Sequence, residues 1–186
     1  SDPETLELID ILKLTSENLK ETLNNSIDYL IENATISTVV EEINLRESLD
    51  EVLSSINSLI CDSKAVINVD FSEVKNITFN KAYMKSIFLN LISNSIKYTR
   101  PHQAPIITIQ SKKTNGIDQL IFSDNGLGFD MDKVKEKIFG LYEKFHKNDD
   151  SNGIGLYLVY NHVTSLGGRI AVESKINKGA TFTISF

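Results

Sequence analysis

The chain has 186 residues, room for one sizeable domain or for one domain with an appendage. Apolar residues make up 41% and charged residues 24%, a globular balance that excludes a disordered chain, and the net charge of -6 argues against a general nucleic-acid binder while leaving room for a locally positive pocket. A single cysteine, Cys61, excludes an intrachain disulfide; no apolar run approaches the roughly 18–20 residues of a membrane span and no signal peptide opens the sequence, so a cytoplasmic segment without membrane contact is expected.

Residues 3–33 read as one helix, with Asp2 as its cap and Pro3 at the first helical position. Leu12, Ser16, Leu19, Leu23, Ser26 and Leu30 alternate steps of four and three, a heptad seam that seeks a partner helix. The β-branched stretch ATISTVVEEI, residues 34–43, breaks the heptad and reads as a linker, placing a domain boundary near residue 40. A second helix follows. Asn44 and Glu47 have capping-box spacing, and Leu45, Leu49, Val52, Leu53, Ile56 and Leu59 supply its apolar face. Cys61 beyond it is expected to be a partly buried small residue.

AVINVDF and ITF then read as short strands, and Asn80 caps a long helix carrying Met84, Ile87, Phe88, Leu91, Ile92 and Ile96. IITIQSKK and IDQLIFSD alternate around Asn115-Gly116, a hairpin signal. A short helix over 131–139, a polar loop to Asn152 and a helix over 154–166 stopped by Gly167-Gly168 come next. RIAVES and TFTISF close the chain around a turn at Asn177-Lys178-Gly179. Strands and helices do not alternate strictly, which disfavours a doubly wound fold. The expected class is α/β, a two-layer sandwich with a mixed sheet of about five strands and three helices on one face, preceded by the heptad helix.

Three polar or glycine-rich clusters stand out. Asn90, Asn94 and Lys97 share one face of the long helix, with Tyr98 beside them. Amide oxygens are hard ligands suited to magnesium, and a lysine offsets phosphate charge; a solvated polar stripe is the plainer alternative. Asp124-Asn125-Gly126-Leu127-Gly128 follows a strand and reads either as a turn or as a carboxylate acceptor beside backbone that a ligand can approach. Gly153-Ile154-Gly155-Leu156 opens a helix, where backbone N–H groups and the helix dipole favour anions. It is not a Walker loop, since no Lys-Ser or Lys-Thr follows.

In this order and spacing the clusters resemble those of the catalytic domain of sensor histidine kinases, within the GHKL superfamily (the Bergerat fold). NLISNSIKYT is similar to the N box, DNGLG to the first glycine box, NGIGL to the second, GATF at 179–182 to the third, and IFGLYEKFHK to the F box. The resemblance covers residues 44 to 186 and implies an ATP-binding catalytic domain at 41–186 behind a partial dimerisation helix and linker at 1–40. It implies Asn94 as the Mg²⁺ ligand with Asn90 in support, and Lys97 and Tyr98 at phosphate or pocket wall. Asp124 would accept from the adenine amino group, and Gly126 and Gly128 would let the base and a bridging water approach. Gly153, Ile154 and Gly155 would offer N–H groups to phosphate, Leu156 and Phe182 would wall the base, and Lys144 would stand where relatives carry a phosphate-contacting Arg.

The implied activity is transfer of the γ-phosphate of Mg-ATP to a histidine of the dimerisation domain and then to an aspartate of a response-regulator receiver domain. The parent would be a homodimer, and self-association through the exposed heptad seam is expected. Ser151 departs from the usual glycine of the second box. No histidine precedes His102, so the phosphoacceptor helix is expected to be absent and autophosphorylation is not expected; His102, His146 and His162 read as loop, surface or structural residues. Related ATPases carry a general-base Glu at the position of Asn90, and an amide cannot take a proton. The alternatives are a GHKL ATPase, a nucleotide-binding scaffold, or a protein-serine kinase of anti-sigma type.

Overall fold

The computed structural model describes Thr15 and residues 39–134, 137–141 and 153–186. The chain divides into two units, Ser1–Val39 and Val40–Phe186, and all the elements below belong to the second. The heptad helix expected over 3–33 lies outside the described residues, Thr15 apart, as do most of the polar loop before Gly153 and the positions of Lys144, His146 and Ser151.

The end of the expected linker is a strand. β1 (Glu41–Asn44) pairs antiparallel with β3 (Asn76–Phe79), Ile43 opposite Ile77, because both isoleucines bury there at 4% and 3% exposure. α1 (Leu45–Ser55) starts where expected, Asn44 Oδ1 accepting from the Glu47 N–H at 3.1 Å. It buries Leu45, Leu49 and Val52 but stops at Ile56, whose backbone leaves the helical region. A separate short helix, α2 (Asn57–Ser63), buries no side chain, so Leu59 is 41% exposed and Cys61 is exposed rather than partly buried.

β2 (Val66–Asp70) is an edge strand. α3 (Lys81–Lys97) is capped by Asn80, whose Oδ1 accepts from the Tyr83 N–H at 2.9 Å, and it buries all six apolar residues expected of it. β4 (Ile106–Thr114) and β5 (Ile117–Asp124) form the expected hairpin. Thr114 pairs with Ile117, and Asn115 and Gly116 take φ of 53° and 82°, the pair of positive angles a two-residue turn of this hand needs. α4 (Met131–Val134) is shorter than the helix expected over 131–139. α5 (Gly155–Thr164) ends in a Schellman arrangement, Gly168 N–H reaching Val163 O and Gly167 N–H reaching Thr164 O. β6 (Arg169–Lys175) and β7 (Gly179–Ser185) complete a five-stranded sheet of order β2-β4-β5-β7-β6, parallel between β2 and β4 and antiparallel elsewhere.

Register decides which residues face the helices. Ile109, Phe122, Phe182 and Val172 lie opposite one another across four strands, as do Leu120, Ile184 and Ile170. They meet Ile87, Phe88, Leu91 and Ile92 of α3 and Val159 and Val163 of α5 in one core. Each fully buried side chain of this size contributes about 1.5–3 kcal/mol. The architecture is the expected α/β sandwich, with helices on one face of a mixed sheet. Asp124 pairs with Ile107 and so belongs to this helix-facing side, at the very end of β5.

Candidate functional site

α3 frames the site. Asn90 and Asn94 stand one turn apart on it. Asn90 Nδ2 donates to Ser86 O at 2.8 Å and to Ser86 Oγ at 3.3 Å, which turns Oδ1 away toward α5. A Cβ on Gly155 would stand 2.9 Å from that Oδ1 and 3.5 Å from Asn94 Nδ2, so the first residue of α5 rests on both amides. The Asn94 side chain makes no hydrogen bond among the described residues, leaving its carbonyl oxygen uncommitted. Ile154, the N-cap of α5, supplies no side-chain cap bond, so no side chain of the cap satisfies the first-turn N–H groups.

Asp124 marks the other end. Its Oδ1 accepts from the N–H of Gly126 at 2.8 Å and of Ala180 at 3.3 Å. Its Oδ2 has a 3.4 Å contact with Ser95 Oγ, which has a nearer acceptor in Leu91 O at 2.9 Å. A hydroxyl has one proton; with that proton on Leu91 O, Oδ2 keeps its acceptor capacity for another donor. Burial pushes the Asp124 carboxyl above the usual carboxylate range, and the hydrogen bonds from the Gly126 and Ala180 N–H groups pull it partly back. Ser95 is five residues from Asn90, so the two ends are about 8 Å apart along the α3 axis.

The glycines between them answer to backbone crossings. A Cβ on Gly126 would lie 2.7 Å from Tyr98 O and 2.9 Å from Asp124 Oδ1. Gly128, at φ +64°, backs onto Lys175 O and Gly179 O, and a Cβ on Gly179, at φ +91°, would enter the Asp124 carbonyl. Tyr98 ends α3, and its carbonyl accepts from the Leu127 N–H at 2.9 Å. Arg100 Nε donates to Asn125 O at 2.8 Å and its Nη1 to Asn177 O at 3.1 Å, clipping the loop after β5 to the turn before β7.

Of the residues expected from sequence, Asn90, Asn94 and Gly155 come together at one end, and Asp124, Gly126 and Tyr98 at the other. Lys97 is exposed beside the Tyr98 ring, its Nζ 5.5 Å from the centroid. Phe182 is 4% exposed and packs in the sheet opposite Phe122, Ile154 is 8% exposed, and Leu156 packs partly buried against the same core. Gly153 adopts φ +69°. Lys144 lies outside the described residues. Sequence reasoning passed over Ser95 and Arg100. A serine inside the buried stripe Leu91–Ile96 was a signal for the first; Arg100 gave none, because its acceptors lie 25 and 77 residues away.

Comparison with known proteins bears on this geometry. The family described as histidine kinase-, DNA gyrase B-, and HSP90-like ATPase matches residues 80–186. The autoinducer 2 sensor kinase/phosphatase LuxQ of Vibrio vulnificus is 27% identical over 100% of this chain and 23% of its own length. The chain spans about a fifth of the length of such relatives. Among solved structures, the catalytic domain of histidine kinase ThkA superposes with a TM-score of 0.67 at 22% identity, covering 80% of this chain and 95% of that one. Full-length ShkA in complex with AMPPNP gives a TM-score of 0.74 at 19% identity over 99% of this chain and 39% of that one. Both share the fold described above.

Proposed function

The chain belongs to the histidine kinase-, DNA gyrase B-, and HSP90-like ATPase family, and on that premise we propose that it is the ATP-binding catalytic domain of a protein-histidine kinase, following part of its parent's dimerisation helix. Asp124 carries the reading. One of its oxygens is saturated by two backbone N–H groups, and the other is a carboxylate oxygen with acceptor capacity left beyond its 3.4 Å contact with Ser95. That arrangement accepts from an exocyclic amino group and repels a carbonyl oxygen, which selects adenine over guanine.

At the other end, Asn94 Oδ1 is a hard oxygen without a protein partner among the described residues, and Asn90 stands beside it. This donor set fits a magnesium ion, which would take Asn94 and keep phosphate oxygens and waters as its other ligands. When bound, the ion neutralises charge on the phosphates. The uncapped N-terminus of α5 offers N–H groups to the phosphates through Gly153, Ile154 and Gly155, Lys97 adds positive charge, Tyr98 lines the pocket toward Asp124, and the family resemblance adds Lys144 as a second phosphate-facing cation. Leu156 and Phe182 bound the base on the apolar side.

Kinase chemistry is favoured over hydrolysis by Asn90. Its amide cannot accept a proton from water, and its nitrogen is already spent on Ser86. A histidine imidazole needs no such base, because its ring nitrogen is a nucleophile as it stands. The acceptor histidine, the dimeric state of the parent, the response-regulator receiver domain served next and a cytoplasmic location belong to the same proposal; no described helix is long and apolar enough to cross a membrane.

The test supplies a dimerisation hairpin carrying a histidine in trans, with γ-labelled ATP and Mg²⁺. Acid-labile label on the hairpin is the expected result. Phosphate released to water at the same rate with and without the hairpin would move the chain to the ATPases.

A further inference from the structure

His162, on α5, is packed between helices rather than exposed as a surface histidine would be. Its ring stacks on Tyr83 of α3 with centroids 4.1 Å apart and planes 15° apart. Its Nε2 lies 3.1 Å from Ser86 Oγ, and Ser86 is the residue that receives the Asn90 amide through both its carbonyl and its hydroxyl. The three side chains form a line from the α3–α5 packing face to the candidate metal end.

With Nε2 as the unprotonated nitrogen, the proton inventory gives the line one sense. The Ser86 hydroxyl has one proton to give and two lone pairs to receive. Asn90 Nδ2 can only donate, so Ser86 Oγ accepts there. Apart from His162 Nε2, no acceptor for the Ser86 proton lies within reach among the described residues. The network is complete when Nε2 is unprotonated and accepts. Burial, with no charged side chain among the described residues acting on the ring, holds this imidazole below the usual histidine range and so in its neutral form at neutral pH.

We infer that Ser86 and His162 are positioning residues for the phosphate and metal end of the site: His162 Nε2 orients the Ser86 hydroxyl, Ser86 holds the Asn90 nitrogen, and the Asn90 oxygen is thereby presented to Gly155 and the uncapped start of α5. The inference rests on the proposed nucleotide site and adds two residues to it that touch neither base nor phosphate. Without the line, Asn90 could rotate its amide and offer a donor where an oxygen is needed. The carbonyl of Ser86 alone fixes one hydrogen of the amide and leaves the second unrestrained.

The experiment follows two ligands and one spectroscopic signal. Calorimetry measures Mg·AMPPNP and metal-free adenosine on the wild type, Ser86→Ala, Ser86→Thr, His162→Leu and His162→Gln, while NMR follows the side-chain amide resonances of Asn90 without ligand. Expected are a roughly 5- to 20-fold weaker Mg·AMPPNP affinity in Ser86→Ala and His162→Leu, corresponding to about 1–2 kcal/mol, with adenosine affinity unchanged. Ser86→Thr and His162→Gln, which restore the hydroxyl and an acceptor, should recover most of the loss, and the Asn90 amide signals should shift in the two damaging variants. Equal losses for both ligands would assign the pair to structure alone and overturn the inference. So would Asn90 signals unmoved in Ser86→Ala. A wild type that binds neither ligand would sink the nucleotide reading itself, a failure the Asn90 signals tell apart.

Discussion

Replacing Asp124 with Asn changes one atom in the site, and the surroundings dictate which. Oδ1 receives two backbone N–H groups, at 2.8 and 3.3 Å, so it must remain an acceptor and the amide nitrogen must take the place of Oδ2. There it meets Ser95 Oγ, which can accept from it while giving its own proton to Leu91 O. The variant is therefore well accommodated and loses a buried charge whose solvation cost raises the wild-type pKa. A folded-state pKa above the unfolded value contributes stability at low pH that is lost as pH rises through the folded value. Asp124→Asn abolishes that loss, so at pH 7 the variant should unfold at a temperature equal to or above that of the wild type. Binding moves the other way. A donor now faces the adenine amino group where a carboxylate stood, and a charge-assisted hydrogen bond is worth about 1.5–3 kcal/mol, so the affinity for an ATP analogue should fall about 10- to 150-fold. An inosine triphosphate analogue, with a carbonyl at that position, should lose far less or gain. Thermal unfolding of the ligand-free proteins and calorimetry with both analogues measure the two arms. A variant that is less stable and equally selective would refute the placement of the base at Asp124.

The pH dependence of the wild type follows from the same carboxyl: adenine-nucleotide affinity should drop as pH falls through its raised pKa, a window above the ordinary carboxylate range, and Asp124→Asn should lack the step; titrations between pH 4 and 8 read it out. Gly155→Ala sets helix propensity, about 1 kcal/mol in its favour, against a methyl placed 2.9 Å from Asn90 Oδ1. Stability should be nearly unchanged while Mg·nucleotide affinity falls by about tenfold, roughly 1.4 kcal/mol, which denaturant melts and calorimetry separate. Gly179→Ala and Gly116→Ala share a positive φ but not their surroundings, since the first methyl enters the Asp124 carbonyl and the second meets nothing within 4 Å. Urea titration should show a loss of about 1–2 kcal/mol at Gly116, the cost of the left-handed backbone alone, and a clearly larger loss at Gly179.

Much of this fold was legible because its signals are local. Asn44 and Asn80 announce helix starts by side chains that reach three residues ahead, Asn115-Gly116 announces a hairpin whose strands are adjacent, and the alternation in β4 and β5 names their buried face. What stayed hidden depended on distant partners. The strand Glu41–Asn44 exists because Ile43 finds Ile77, 34 positions on, and the break at Ile56 reflects packing that propensity does not encode. The site divided in the same way. Asn90, Asn94 and Tyr98 were readable as one helix stretch, and Asp124 and Gly126 as one turn. The Ser95 contact at Asp124, the Arg100 clip and the line from His162 to Asn90 join residues 25 to 77 positions apart and appear once the chain is folded. Gly128 shows the opposite lesson: a glycine expected at the ligand is required by the carbonyl of Lys175 behind it.

The Arg100 clip has a consequence for how the domain reaches its working state. It joins the end of α3 to Asn177, in the turn before the last strand, across 77 residues, and Ala180 of that strand donates to Asp124. Closing so long a loop is entropically slow, and the reward comes when β7 docks between β5 and β6. The proposed base-binding geometry thus forms late in folding, and a nascent chain ending before Gly179 lacks it whatever its helices have done. Ligand that recognises this geometry discriminates against every partly assembled species, so its binding energy bears on global unfolding rather than on a local flap. Nucleotide should protect the slowest-exchanging amides of β5 and β7 along with the loop beside them.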